Sequence, residues 1–347
     1  MPITIREVAK KARVAVGTVS RVLNGKADVD PKLRMQVERA IHDLGYRPNV
    51  RARNLSRNSS PILSFILSNR SFVHLFHSHI LQGVEEYCSQ NGYFVIFTKF
   101  DYSRHTKPDE IRLPTVLQSH GVADCVIAAG TNYDNFLEAL DSLHMNYVLL
   151  ANNRVSDRPR QPVDQVRFDD VTGALEATQH LIQLGHRDIW FVGDTTLPWC
   201  RTRNTGYLRA MNEAGLEPHS FTAGLADDQF MDGLRSLEFM IDQRHEITAV
   251  LAGTDDIAYG AWEAIHRAGL RIPEDVSLIG FDDQYGTLRF PQLTTVRVKT
   301  EELGRELAKM AIAKIQSGGG NMPEVVVSTQ LIRRGTCQPR SARSIAS

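Results

Sequence analysis

Apolar residues near the start of the chain recur at helical spacing in three short runs separated by tight breaks. Thr4-Ile5-Arg6-Glu7 has the form of a capping box, and Ile5, Val8, Ala9 and Ala12 then share one helical face. After a break at Arg13-Val14-Ala15, a second helix from Val16 to Leu23 turns Val19, Val22 and Leu23 inward, and Asn24-Gly25 ends it. Asp30-Pro31 supplies an N-cap followed by proline at the first helical position, opening a third helix that runs through Leu44 and stops at Gly45. Two short helices across a tight turn, covered by a third, form a helix-turn-helix arrangement.

Ser56 to Pro61 reads as a linker, and beyond it the period changes. Short β-branched runs alternate with helical stretches: ILSFIL (62–67), YFVIFT (93–98), DCVIAA (124–129), YVLLA (147–151), DIWFVG (188–193), TAVLAG (248–253) and VSLIGF (276–281). That alternation predicts an α/β class, with parallel sheets covered by helices on both faces. The stretch is too long for one sheet and predicts two similar lobes.

Composition adds little until it is divided. Of 347 residues, 42% are hydrophobic and 23% charged, an ordinary mixture for a chain with a real core. No apolar run reaches membrane-spanning length, and the N-terminus lacks the pattern of a signal peptide. Cys88, Cys125, Cys200 and Cys337 are scattered without a pairing pattern, so the expected home is a reducing cytoplasm. Net charge is zero, yet residues 1–60 carry +8 and the remainder −8. A basic head on an acidic body points to a polyanionic partner for the head alone.

The stretch TIREVAKKARVAVGTVSRVLNG, continued by VDPKLRMQVERAIHDLGYRPNVRARNL, resembles the headpiece of the lactose/galactose repressor (LacI/GalR) family without a gap from Thr4 to Leu55. The resemblance implies a headpiece over 1–46, a hinge helix and linker over 47–60, and a recognition helix Val16–Leu23 lying in the major groove. Val16 and Gly17 take the two positions that mainly set operator choice in that family. Physically, Val16 suits a thymine methyl, Gly17 permits close backbone approach, and Arg21 suits the O6 and N7 of guanine, with a phosphate contact as its alternative. Thr18, Ser20 and Asn24 are short polar groups suited to phosphates or base edges, and Thr4 joins the expected DNA-contacting set. Ala15 departs from the family's usual serine, at an expected cost of about 1 kcal/mol in local capping. In the hinge, the resemblance implies Leu55 wedged between central base pairs from the minor groove, with Arg51 and Arg53 on phosphates.

For residues 61–340 the resemblance implies a two-lobed, periplasmic-binding-protein-like core, crossed three times near 163–167, 290–294 and 322–327. The N-lobe is then expected at 61–164 and 292–323, the C-lobe at 165–291 and 324–340, and a tail at 341–347. Ligands in such folds sit beyond the carboxyl ends of the strands, here between the lobes. Arg203 falls in an RxxGY motif and Asp282 in GFDD, which implies effector contacts for both; a surface salt bridge is the alternative for each. Asp255 belongs to a TDDIAYG segment where the family has asparagine instead of Thr254. Trp199 replaces a small polar residue and either stacks on a ligand ring or packs. Phe76 is expected to face the cleft from the segment 69–79, which departs furthest from the family pattern.

His186, within GHRDI, reads as structural. His74, His77 and His79 have no recognised zinc spacing, so no metal and no cofactor are expected. No GxSxG, HExxH or P-loop is present, which argues against an enzyme. A sugar-binding transport receptor is the alternative, disfavoured by the DNA-binding head and the missing export signal. The tail lacks leucine heptads, so a homodimer on a pseudopalindromic operator is expected, switched by a small effector, a sugar or its derivative. Inducer and corepressor stay open as alternatives.

Overall fold

The computed structural model describes residues 3–23, 29–46, 61–70, 74–119, 122–156, 161–225, 228–243, 245, 247–286 and 288–340. The chain divides into two compact units, Met1–Ser60 and Pro61–Ser347.

In the first unit the three predicted helices form where the capping chemistry places them: α1 (Ile5–Ala12), α2 (Val16–Leu23) and α3 (Pro31–Leu44). The Glu7 carboxylate accepts from the Thr4 amide at 2.6 Å and from the Thr4 hydroxyl at 3.0 Å. The capping box is present, and the Thr4 hydroxyl also donates to the Glu7 carboxylate. Asp30 Oδ1 accepts from the amides of Lys32 (2.8 Å) and Leu33 (3.2 Å), and Gly45 closes α3 at φ 59°. Val8, Ala9, Ala12, Val19, Val22, Val37 and Ala40 fill a small core.

The second unit contains two lobes. The chain runs through β1 (Ile62–Ser68), α4 (Leu75–Gln90), β2 (Phe94–Phe100), α5 (Thr115–Gln118), β3 (Cys125–Gly130), β4 (Asn132–Tyr133), α6 (Asp134–Ser142), β5 (Tyr147–Leu150), β6 (Arg154–Val155) and β7 (Gln165–Phe168). It continues through α7 (Asp170–Gln183), β8 (Ile189–Val192), α8 (Pro198–Glu213), β9 (His219–Phe221), α9 (Gln229–Asp242), β10 (Ala249–Ala252), α10 (Asp255–Arg267), β11 (Ser277–Asp282) and β12 (Thr294–Arg297). It closes with α11 (Thr300–Gln316), β13 (Val325–Val327) and β14 (Gln330–Ile332).

One sheet has the order β13-β7-β5-β3-β1-β2, all parallel; the other has β14-β12-β11-β10-β8-β9, parallel except where β12 meets β14. Each of the seven strands read from β-branched runs is present. The chain does change lobe three times, but each time a few residues later than the resemblance implied. β7, expected in the C-lobe, pairs in the first sheet; β12, expected in the N-lobe, pairs in the second; β13 returns to the first. The reason is that each crossing follows the carboxyl end of a short strand. Such runs are too short to register in a periodicity scan.

Glycines set the distance between paired helices. A Cβ on Gly83 of α4 would lie 2.1 Å from the Glu301 carbonyl oxygen of α11, and one on Gly304 equally close to that of Ile80. Gly233 of α9 and Gly260 of α10 repeat the reciprocal arrangement in the other lobe, at 2.1 and 1.9 Å.

Candidate functional site

On α2, Val19 and Val22 are buried, whereas Val16 is 42% exposed and nothing lies within 4 Å of a Cβ built on Gly17. Arg21 and Thr4 are exposed, and Thr18 and Ser20 are half-buried. Val16, Gly17 and Arg21 therefore share the outward surface of the helix. Ala15 leaves the helix start without a side-chain acceptor, and its carbonyl takes the amides of Thr18 (2.9 Å) and Val19 (3.3 Å). Asn24, Arg51, Arg53 and Leu55 lie outside the described residues.

In the second unit a cavity opens between the two sheets, with about 640 Å³ between its lining residues, solvent mouth included. Its lining follows the carboxyl ends of the strands. Arg70 lies just past β1, Gly130 ends β3, Asn152 follows β5 and Phe168 ends β7; Thr254 follows β10 and Asp282 ends β11.

Arg203 anchors the polar floor. On α8 the buried stripe Trp199, Cys200, Arg203, Gly206, Tyr207, Ala210 and Met211 fixes the helix against the core. Gly206 lets α8 approach α7, since a Cβ there would sit 2.2 Å from the Val171 carbonyl oxygen. The Tyr207 hydroxyl donates to the Ile189 carbonyl at 2.8 Å, tying α8 to β8. The guanidinium so placed donates from Nε to Asp170 at 2.8 Å, from Nη1 to the Gly253 carbonyl at 2.6 Å and from Nη2 to Asp282 at 2.8 Å. Its Cζ lies 3.8 Å from the centroid of the Phe281 ring. Asn152, from the first lobe, donates to the other Asp170 oxygen at 2.7 Å, so one polar chain joins both lobes.

Burial opposes the charge on Arg203, but Asp282 and Asp170 outweigh it and hold its pKa above the ordinary value. One guanidinium shared by two carboxylates does not offset the desolvation of both. Burial accordingly pushes Asp282 up to about 6 and raises Asp170 as well, with Arg203 pulling each back down. Asp282 adopts φ 106° and Asp283 φ 53°. Arg297 (2.7 Å) and Arg334 (2.8 Å) clamp Asp283 in that conformation.

The structure brings Phe76, Trp199, Arg203 and Asp282 together around the cavity. Phe76 meets Phe168 edge-on at 5.8 Å between centroids, and the Trp199 ring lies 5.0 Å from the Arg203 Cζ. Asp255 does not join them. Its carboxylate turns into the lobe, where it accepts from the Thr295 hydroxyl at 2.6 Å and the Gln284 amide at 3.0 Å. Helical geometry explains the correction, because adjacent residues point about 100° apart and Asp256, not Asp255, faces the cavity. Gly280 of GFDD makes room for Asp255, whose Oδ1 would be 2.4 Å from a Cβ there.

Thr254, the departure from asparagine, caps α10 by accepting from the Ile257 amide at 3.3 Å and donates to Gln229 at 2.9 Å. Sequence reasoning missed Asp170, Gln229, Gln284 and Arg70, which stand in no motif, and took Asp255 where its TDDIAYG neighbour Asp256 lines the cavity. His186 bridges the core, with Nδ1 3.1 Å from the Thr248 hydroxyl and Nε2 3.0 Å from that of Ser277. Among the described residues no group of three or more His, Cys, Asp or Glu side chains is arranged to hold a metal ion, and no helix is long and apolar enough to cross a membrane.

A basic helix-turn-helix unit followed by a two-lobed α/β unit with a cleft between its lobes defines the class of effector-responsive DNA-binding regulators. Comparison with known proteins agrees at both ends of the chain. Residues 4–49 match the family of bacterial regulatory proteins, lacI family, and residues 178–337 match the periplasmic binding protein-like domain. The transcriptional regulator RegA of Clostridium saccharobutylicum is 30% identical over 339 residues, covering 96% of this chain and 99% of its own. CelR of Thermobifida fusca is 31% identical over 337 residues, covering 95% and 97%. A solved CelR–cellobiose complex superposes with a TM-score of 0.69 at 27% identity, over 96% of this chain and 99% of that one. A Lac repressor dimer bound to operator and the anti-inducer ONPF superposes with a TM-score of 0.77 at 24% identity, over 97% and 100%, a likeness of fold. The chain belongs to the lacI family: it is a DNA-binding transcription regulator and not an enzyme.

Proposed function

We propose that two copies of this chain bind a pseudopalindromic operator as a repressor, and that a sugar or sugar derivative in the cavity switches operator affinity. The observation that carries the reading is the hydrogen-bonded chain Asn152–Asp170–Arg203–Asp282, which places polar groups from both lobes at one cavity. Charged and amide groups with aromatic walls suit vicinal hydroxyls on an otherwise apolar ring. A ligand touching both lobes biases their relative angle, which is the two-state element an allosteric switch requires. The solved cellobiose complex of the CelR relative is in keeping with a carbohydrate effector.

Val16, Gly17, Thr18, Ser20 and Arg21 are the proposed reading surface, with Thr4, Asn24, Arg51 and Arg53 on the backbone or base edges and Leu55 in the minor groove. Leu288 and Phe290, 87% and 91% exposed, are large apolar side chains of the kind that a second copy covers, and they support a homodimer. The site of action is the cytoplasm, on nucleoid DNA.

Gel shift against pooled genomic fragments, with a salt titration, tests the DNA half. A specific shift that weakens steeply as salt rises is expected, and a shift indifferent to sequence or salt would overturn it. A thermal-shift screen tests the effector half. A ligand at 100 times its Kd adds about 2.7 kcal/mol of stability, and a response to purines alone would overturn the carbohydrate reading.

A further inference from the structure

Two helices of the first unit end in the same backbone geometry with different residues. α3 closes at Gly45, φ 59°, with the Gly45 amide donating to the His42 carbonyl at 3.1 Å and the Tyr46 amide to that of Ile41 at 3.0 Å. α1 closes at Arg13, φ 51° and ψ 43°, with the Arg13 amide donating to the Lys10 carbonyl at 3.3 Å and the Val14 amide to that of Ala9 at 3.1 Å. Both are left-handed caps closed by main-chain bonds, a position that favours glycine. The backbone therefore gives no reason for an arginine at position 13, whose side chain is exposed.

That cation does not stand alone. Arg6 and Lys10, four residues apart on α1, share one exposed face, and Arg13 follows three residues later at the turn. None of the three has an ion-pair or side-chain hydrogen-bond partner among the described residues. Glu7, the carboxylate of α1, is engaged by the amide and hydroxyl of Thr4. Lys11 turns to α3, where its Nζ lies 3.8 Å from Asp43, and Lys10 points about 100° away from it. α2 starts at Val16, three residues after Arg13, and Ala15 between them offers no hydroxyl.

We propose that Arg6, Lys10 and Arg13 form a second DNA-contacting surface, which grips the phosphate backbone beside the base-reading surface of α2. The inference rests on the first unit binding duplex DNA, and it adds three contacts that the proposed reading surface does not contain. Cations left without a carboxylate suit phosphate oxygens, and the guanidinium forks of Arg6 and Arg13 match two of them at once. Such contacts hold the helices in register on the duplex and carry no sequence information. An arginine in the left-handed cap places a guanidinium at the entrance to α2, where Ala15 supplies no donor. Backbone stability and DNA affinity are therefore opposed at position 13.

The test uses the full-length protein and a fluorescent synthetic duplex of arbitrary sequence, since phosphate contacts need no operator. Anisotropy is followed through a salt titration, with thermal melting in parallel. Arg6→Gln, Lys10→Gln and Arg13→Gly should each lower the slope of log affinity against log salt by about 0.9 per head bound, an about eightfold loss at about 0.1 M salt. Lys11→Gln, on the side turned to α3, should keep the wild-type slope. Arg13→Gly should also melt at the wild-type temperature or above, a pairing with lost affinity that a merely structural arginine does not give. Affinity for a fragment recovered from pooled genomic DNA should fall by the same factor as for the arbitrary duplex. Unchanged slopes in the three variants would overturn the proposal, leaving the DNA-binding reading intact and pointing to an acidic protein surface instead. An equal loss in Lys11→Gln would also overturn it, as an effect of net charge, and so would a lower melting temperature in Arg13→Gly. No binding of duplex by the wild type at any salt would remove the DNA-binding reading as well.

Discussion

Arg203 illustrates how much one residue holds in this site. It is 3% exposed and flanked by two carboxylates, so its removal strands Asp170 and Asp282 as uncompensated buried charges. Arg203→Ala is expected to cost about 3–5 kcal/mol in chemical denaturation. Arg203→Lys should not restore it, because an ammonium cannot reproduce the fork geometry. Asp282 carries a pH signature. Its folded pKa, about 6, lies above its ordinary value of 3.8, so the native state binds the extra proton between the two. Stability from this group is present below the lower value and lost as pH rises through the upper one. Wild-type stability should therefore fall relative to Asp282→Asn as pH climbs from 4 to about 7, and parallel denaturation curves across that range would contradict it. Asp255 and Asp256 separate structure from binding. Asp256→Asn should weaken effector binding in titration calorimetry, whereas Asp255→Asn should leave it unchanged, since burial already favours the neutral form of Asp255.

At the scale of elements, the helix pairs are held by glycines, of which only Gly260 stands in a motif. Gly83 with Gly304, and Gly233 with Gly260, bring backbones within reach of one another in both lobes. Gly260→Ala must separate α9 from α10 and is expected to cost about 1–3 kcal/mol, read as a lower melting temperature. A melting temperature equal to wild type would show that the helices slide freely. The strands were legible because a parallel sheet buried on both faces demands near-continuous apolar runs, as in Leu63–Leu67 and Val126–Ala129. β12 and β13 were placed in the wrong lobe for the same physical reason. Their three or four residues carry propensity but no information about which sheet they will join.

For the whole molecule, the charge division matches the division into two compact units at residue 60. A fragment covering residues 61–347 should bind effector with unchanged affinity and fail to shift operator DNA at any salt concentration. Operator binding by that fragment would refute the division of labour.

The sequence by itself determined the local and periodic features: caps at Thr4, Asp30 and Gly45, the outward face of Val16, Gly17 and Arg21, and the alternation that makes two lobes. These depend on neighbours three or four positions away, or on burial patterns within one element. The tertiary structure alone decided which side chains meet. Asp170 and Arg203 are brought together across a helix pair, Asn152 reaches them from the other lobe, and Asp256 replaces Asp255 at the cavity. Such contacts are set by long-range packing, and helix rotation of a single residue is enough to exchange one carboxylate for another.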